Sequence, residues 1–257
     1  MSVQTALQRP RAEQLAALRA QLAHARGARG PALAFGLDAI DDRLADRGLD
    51  GAGLHEIAAA TAALSDDAAA TLFAAGIAAR FAEKPGFTVL WALTRFDLYA
   101  PGLEQVGLGP AKLLYAHGRN DADVLAMAED ALREGTLACV VAEVKTADQT
   151  ATRRLQLAAS DGRTPMLLYR RHRACDRCPL TIPSSAMTRW RIGCRSSEPL
   201  PHPGVGRARW AVELVRQRNG NPFSLEVEAS DDTGRLALPA AARHRAAAPV
   251  APHVQAA

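Results

Sequence analysis

Gly36–Phe73, GLDAIDDRLADRGLDGAGLHEIAAATAALSDDAAATLF, decides how this chain is read. Gly36-Leu-Asp38 opens a short helix, Asp38 to Ala45, which ends near Gly48. Gly53 to Ala59 (GLHEIAA) is a core strand. A loop rich in alanine follows, and Ser65 to Ala82 is a helix with Phe73, Ile77 and Phe81 at i, i+4 and i+8. A buried strand followed closely by a helix is half of a β–helix–β unit, so the next question is whether the pattern repeats.

It does. Phe87 to Leu93 (FTVLWAL) is a continuous apolar run, as a strand covered on both faces requires. Lys112 to Ala116 is another strand, followed by a helix from Asp121 to Arg133. Leu137 to Glu143 (LACVVAE) is a further strand, Asp148 to Ala159 a helix, and Pro165 to Arg170 a strand. Strands alternating with helices of this length predict an α/β fold, a mainly parallel sheet sandwiched between helices. After residue 180 the pattern changes. Ala186 to Cys194, Arg207 to Arg218 and Pro222 to Glu228 read as strands with no helix between them, and Arg218-Asn-Gly-Asn221 supplies a hairpin turn. The sheet is therefore expected to carry an antiparallel β extension at its C-terminal side. Arg11 to Ala25, with Leu15, Leu18 and Leu22 on one stripe, predicts a helix that Arg26–Pro31 separates from the core. The expected organisation is a helix and linker over 1–30, a core over 31–238 whose antiparallel part is 181–238, and a disordered Ala/Pro tail over 239–257. Ser196 to Gly206 is too rich in Pro and Gly for regular structure.

The opening segment resembles the start of the RecA core, predicting a RecA-like three-layer fold. In RecA-like ATPases the loop after the first strand is G-x-x-x-x-G-K-[ST]. Its glycines let backbone N–H groups approach phosphate, and its Lys and hydroxyl meet phosphate and Mg²⁺. Here Ala59 and Leu64 fill the glycine positions, Ser65 the lysine position and Asp66 the hydroxyl position. Ser65 reads as the N-cap of the helix, with Asp66 and Asp67 placing two carboxylates in its first turn. Such a helix start is satisfied internally and repels a triphosphate, so no nucleotide cofactor and no ATPase activity are expected. Glu143, at the end of LACVVAE, stands where a Walker-B acid would be. Without a phosphate loop it is expected to pair with a basic residue, for instance Lys145. Asp97 is the nearby acid after the second strand, and it fits a catalytic position poorly.

The chain has 257 residues, 48% of them hydrophobic and 23% charged, with a formal net charge of +4. That length suits one main domain with a sizeable core. No apolar run approaches the roughly 20 residues a membrane span needs, and the N-terminus lacks the apolar segment of a signal peptide. A soluble cytoplasmic protein is expected. Of the 31 basic residues 28 are arginines, a bias that a GC-rich genome can produce. The charge is unevenly placed: residues 1–150 carry a net −5, 151–220 a net +10, and 221–257 a net −1. A basic stretch of that kind suits an anionic partner such as nucleic acid, or is a solvated face. No H-E-x-x-H, G-x-S-x-G or G-x-G-x-x-G motif is present, and no carboxylate pair is placed for acid–base work.

Thr188-Arg-Trp-Arg191, a spacer, and Arg209-Trp-Ala-Val-Glu-Leu214-Val-Arg216-Gln-Arg218-Asn-Gly220 make the chain similar to the ImuA family, a resemblance that with the RecA-like front covers roughly residues 33–236. The resemblance implies a non-catalytic accessory role in damage-induced (SOS) error-prone translesion DNA synthesis. It also implies partnership with an ImuB-type protein, an inactive Y-family polymerase relative, and with an error-prone DNA polymerase. Association with RecA or with itself is left open. From the residues alone, Arg189, Arg191, Arg209, Arg216 and Arg218 are candidate contacts to DNA phosphates or to an acidic protein surface. Trp190 and Trp210 are expected in the core. Two alternatives stay open: a DNA-dependent ATPase with a divergent pocket, and a zinc-stabilised DNA-binding module using His172, Cys175, Cys178 and Cys194. Reduced spectator thiols are the simpler reading of those cysteines, and Cys139 lies in a core strand.

Overall fold

The computed structural model describes residues 31–84, 86–172, 178–197, 200 and 203–239. The expected helix over 11–25, the linker over 26–30, Cys175 and the tail beyond residue 239 lie outside them. Among the described residues, eight strands form one sheet: β1 (Leu54–Ala59), β2 (Val89–Leu93), β3 (Leu113–His117), β4 (Cys139–Val144), β5 (Met166–Arg170), β6 (Thr188–Arg195), β7 (Arg209–Gln217) and β8 (Phe223–Glu228). Their order across the sheet is β3-β2-β4-β5-β1-β6-β7-β8. The first six of these are mutually parallel, and β7 and β8 are antiparallel additions. This is the α/β sheet with an antiparallel C-terminal extension that the alternation predicts. One detail differs: β6, grouped from sequence with the antiparallel strands, pairs in parallel with β1, so the extension begins at β7.

Helices cover the sheet for reasons visible in their composition. Helix α1 (Asp38–Asp41) is shorter than the expected Asp38–Ala45: past Asp42 the backbone bonds tighten to i→i+3, Arg43 N–H to the Ile40 carbonyl at 3.0 Å and Leu44 N–H to that of Asp41 at 3.2 Å, while the Asp41 carboxylate accepts from the N–H groups of Phe35, Gly36 and Leu37 at 2.7, 2.8 and 3.2 Å. Helix α2 (Leu64–Phe81) buries an alanine-lined flank, including Ala70, Ala74 and Ala78, against one face of the sheet. Its Phe73 meets Trp190 and Trp210 with ring centroids at 5.9 and 6.2 Å. Those indoles are fully buried, as expected, and each buried aromatic of this kind contributes on the order of 1.5–3 kcal/mol. A six-residue helix α3 (Ala100–Gln105), not evident in the sequence pattern, follows β2.

Helices α4 (Asp121–Glu134) and α5 (Gln149–Gly162) cover the opposite face over β4, β5 and β1. Their starts are capped by side chains. Asn120 accepts from Asp123 N–H at 2.9 Å, and Asp148 accepts from Ala151 N–H at 2.7 Å. They cross closely where α5 ends: a Cβ on Gly162 would stand 1.7 Å from the Leu132 carbonyl oxygen, so only glycine fits there. No helix among the described residues is long and apolar enough to cross a membrane.

Candidate functional site at the carboxyl end of the sheet

In an open parallel sheet the loops beyond the carboxyl ends of the strands are where ligands are bound. At that end, β1 runs through Ala60–Ala63 into α2. The N-cap is Ala63 rather than the expected Ser65, and it makes no side-chain cap. The first turn is instead engaged by its own two acids. Asp66, almost wholly buried, accepts from Thr61 Oγ1 at 2.6 Å and from the Cys194 N–H at 2.7 Å, which ties the loop to β6. Asp67 accepts from the Tyr169 hydroxyl and from Arg171 Nη1 at 3.1 Å. Of the loop positions singled out, Leu64 is 87% exposed and Ala59 is buried at the end of β1.

Arg171, just past β5, is the centre of the site. Its Nε donates to Glu143 Oε2 at 2.7 Å, its Nη2 lies 3.0 Å from Asp97 Oδ1, and its Nη1 reaches Asp67. One guanidinium therefore serves three carboxylates drawn from the end of β4, the loop after β2 and the start of α2. Glu143 is completed by Trp91, whose Nε1 donates to Oε1 at 2.6 Å. The strand register explains the convergence: Trp91 pairs with Val141 and Glu143 with Tyr169, so all of these side chains rise on the α2 side. Burial pushes the Glu143 carboxyl up from its ordinary value, more than Arg171 and the Trp91 hydrogen bond pull it down. Burial also opposes the charge on Arg171, yet Glu143, Asp67 and Asp97 outweigh it and raise that group. Tyr169 is pushed up by burial and by Asp67. A cavity of about 240 Å³ remains beside the cluster, lined among others by Thr94, Arg95, Asp121, Lys145 and His172.

Glu143 thus has the basic partner expected of it, but the partner is Arg171 rather than Lys145, and Asp97 joins the same group. Arg171 itself was missed. Its sequence signal is two arginines closing an apolar strand, MLLYRR, at the end of the sheet where polar groups gather. Its neighbour Arg170 belongs to a second missed cluster. Fully buried Glu56 takes Arg170 Nη1 at 2.8 Å and Arg189 Nε at 2.5 Å. In register Glu56 lies opposite both Leu168 and Arg189, and Arg170 is two residues beyond Leu168 on the same face.

This corrects one expectation. Arg189 is buried, with Nη2 also donating to the Ile182 carbonyl at 2.9 Å, so it is a core ion-pair partner and not a surface contact. The other arginines sit around β6 and β7 in a ladder that includes acids. Arg191 makes a two-pronged pair with Glu213 at 2.8 and 2.7 Å, Arg195 approaches Glu226 at 3.5 Å, and Arg209 lies opposite Glu228 in register. Arg216 Nη2 donates to the Ala186 carbonyl at 2.8 Å, and Arg218 is exposed. Arg191, Gly193, Arg195, Ala211, Glu213, Ser224 and Glu226 line an open depression of about 320 Å³.

The proposed zinc ligands are not drawn together by what is described. His172 Nε2 is 3.0 Å from the Ala59 carbonyl, Cys178 sits beside the Arg191 guanidinium, and Cys194 is part-buried on β6. Among the described residues no group of three or more His, Cys, Asp or Glu is placed to hold a metal ion. Cys139 is buried in β4, and desolvation pushes its thiol far up.

No protein-family model matches the sequence. A crystal structure of SulA from Pseudomonas aeruginosa is similar over 46% of this chain and 96% of that one, at 23% identity and a TM-score of 0.39, too low a score to identify a shared fold. Sequence similarity says more. The proteins named Protein ImuA from two strains of Caulobacter vibrioides are each 36% identical over 206 residues, covering 78% of this chain and 84% of theirs. At that identity and coverage, the chain belongs to the ImuA family.

Proposed function

We propose that this chain is a non-catalytic accessory protein of damage-induced, error-prone translesion DNA synthesis, working in the cytoplasm as an adaptor between an ImuB-type protein and the mutagenic polymerase. The observation that carries the reading is Arg171. Where a RecA-like ATPase would hold a magnesium nucleotide, one guanidinium is clamped by Glu143, Asp67 and Asp97. It supplies from within the positive charge that the carboxylates would otherwise take from a metal ion. The helix start beside it carries two carboxylates in its first turn, Asp67 lining the cavity and Asp66 buried behind it, which opposes the attraction of the helix dipole for phosphate. The adaptor role is supported by the ladder on β6–β8. Its alternating Arg and Glu side chains match a protein surface of complementary charge better than a phosphate strand, which the three glutamates would repel.

Size-exclusion of the full chain with ImuB from the same source, alongside ATP calorimetry, tests this. The expected result is a stable complex that Arg191→Glu weakens at least tenfold, and no heat of ATP binding. Micromolar ATP binding with DNA-stimulated hydrolysis and no ImuB complex overturns the proposal in favour of a divergent ATPase.

A further inference from the structure

At the sheet edge farthest from that ladder, the surface has a different chemistry. Among the described residues β3 is the outermost strand, and its Tyr115 and His117, two residues apart, stand on one face. Phe96, from the loop after β2, lies against both. Its ring is stacked on His117 at 5.3 Å and 17°, and meets Tyr115 edge-on at 5.7 Å and 75°. His117 is held in turn by a contact of 3.2 Å from Nε2 to the Thr94 carbonyl. Phe96 is nevertheless 65% exposed and Tyr115 43%. Scattered exposed apolar residues are ordinary, but rings fixed against one another and left open to solvent mark a contact surface.

The rim carries two exposed guanidinium groups. The Arg95 side chain is 71% exposed and that of Arg119, two residues past His117, is 87% exposed. Each has an aspartate neighbour: Arg95 Nη2 meets Asp97 at 2.8 Å, and Arg119 Nε meets Asp123 at 2.8 Å. Exposed pairs of this kind are weak because water and salt screen them, and a guanidinium has further N–H groups to offer. Asp97 is moreover already shared with Arg171.

We propose that this platform binds single-stranded DNA, with bases stacking on Phe96 and Tyr115 and phosphates meeting Arg95 and Arg119. Flat exposed rings beside guanidinium groups suit a chain of alternating bases and phosphates. A duplex, whose bases are already stacked, has no free base face to offer these rings. The choice of DNA over RNA rests on the proposed role in DNA synthesis; the stacking chemistry does not depend on it.

The test is fluorescence anisotropy of the full chain with labelled oligothymidylate of about 20 nucleotides at about 50 mM salt. Binding is expected to fall about tenfold in Phe96→Ala and to return in Phe96→Trp. Arg95→Gln with Arg119→Gln is expected to flatten the dependence of log K on log salt by roughly 0.7 per lost phosphate contact. No binding by the wild-type chain, or equal binding by a folded Phe96→Ala variant, overturns the proposal. Equal affinity for duplex DNA does the same, and equal affinity for oligouridylate overturns the assignment to DNA. Size-exclusion with ImuB separates the two readings. An intact complex without oligonucleotide binding sinks only the platform, whereas oligonucleotide binding without a complex sinks only the adaptor. A Phe96→Ala variant that loses ImuB while still binding DNA makes the rings a protein-docking surface instead.

Discussion

Arg171 shows how much one side chain can decide. Replacing it with methionine keeps the aliphatic bulk and removes the charge, leaving Glu143, Asp67 and Asp97 facing one another. Glu143 is the most buried of the three, so the lost cation is most costly there. Arg171→Met is expected to lower the unfolding free energy by about 2–3 kcal/mol in urea titrations near neutral pH, less than for a fully buried pair because the guanidinium is partly solvated. Adding Glu143→Gln should recover part of the loss, since it removes a carboxylate the methionine variant leaves unpaired. A loss below about 0.5 kcal/mol would show that water and counterions replace the guanidinium. The pH response has a defined sign. Without Arg171, only the Trp91 hydrogen bond offsets the burial that raises Glu143, and a carboxyl raised in the fold stabilises it at low pH and less as pH rises. The variant's deficit therefore shrinks on acidification. In the sequence Glu143 was legible as an acid closing an apolar strand. Arg171 was not, because residues 143 and 171 meet only through the β4–β5 pairing.

Among the elements, the β1–β6 contact carries a buried histidine that sequence reading passed over. His55 lies opposite Thr188 in register. The Asp50 carbonyl, at 2.9 Å, can only accept, so Nε2 holds the ring proton. Nδ1 then accepts from the Thr188 hydroxyl at 2.8 Å, and that hydroxyl accepts from Trp190 Nε1 at 2.7 Å. The chain of donors is complete only with a neutral imidazole. Burial lowers the His55 pKa below its ordinary value of about 6.5, against the smaller raising effects of Asp50. A depressed histidine contributes stability that is present above its unfolded pKa and lost as pH falls through the folded one. The urea midpoint of the wild-type chain is thus expected to drop between about pH 7.5 and pH 5.5, and that of His55→Gln to drop less. Equal slopes would mean that other groups set the acid limb. The elements themselves were mostly legible, since every predicted core strand appears with ends shifted by two residues or fewer. The exceptions have local causes: past Asp42 the backbone bonding changes to i→i+3 turns and α1 stops early, and α3 has too few residues to show a period.

For the whole molecule, sheet order is the decisive fact. The aromatic platform at β3 and the charged ladder around β7 lie six strand spacings apart, about 29 Å at ~4.8 Å per strand. Substitutions at sites so far apart with no shared partner act independently. Arg191→Ala combined with Phe96→Ala should therefore show the sum of the single effects on stability, within about 0.5 kcal/mol, by chemical denaturation. A larger departure would reveal that the two edges communicate through the sheet.

The sequence by itself determined the alternation of strands and helices, the alanine-for-glycine loop after β1, the buried tryptophans and the family. All of these rest on local periodicity or on residue type, which neighbours along the chain suffice to express. Only the tertiary structure decided that Arg171 gathers three carboxylates, that Arg189 turns inward to Glu56, and that Phe96, Tyr115 and His117 share one surface. Each of these depends on which strands lie side by side and in what register, and hydrogen bonding across the sheet sets that between residues as far apart as 56 and 189.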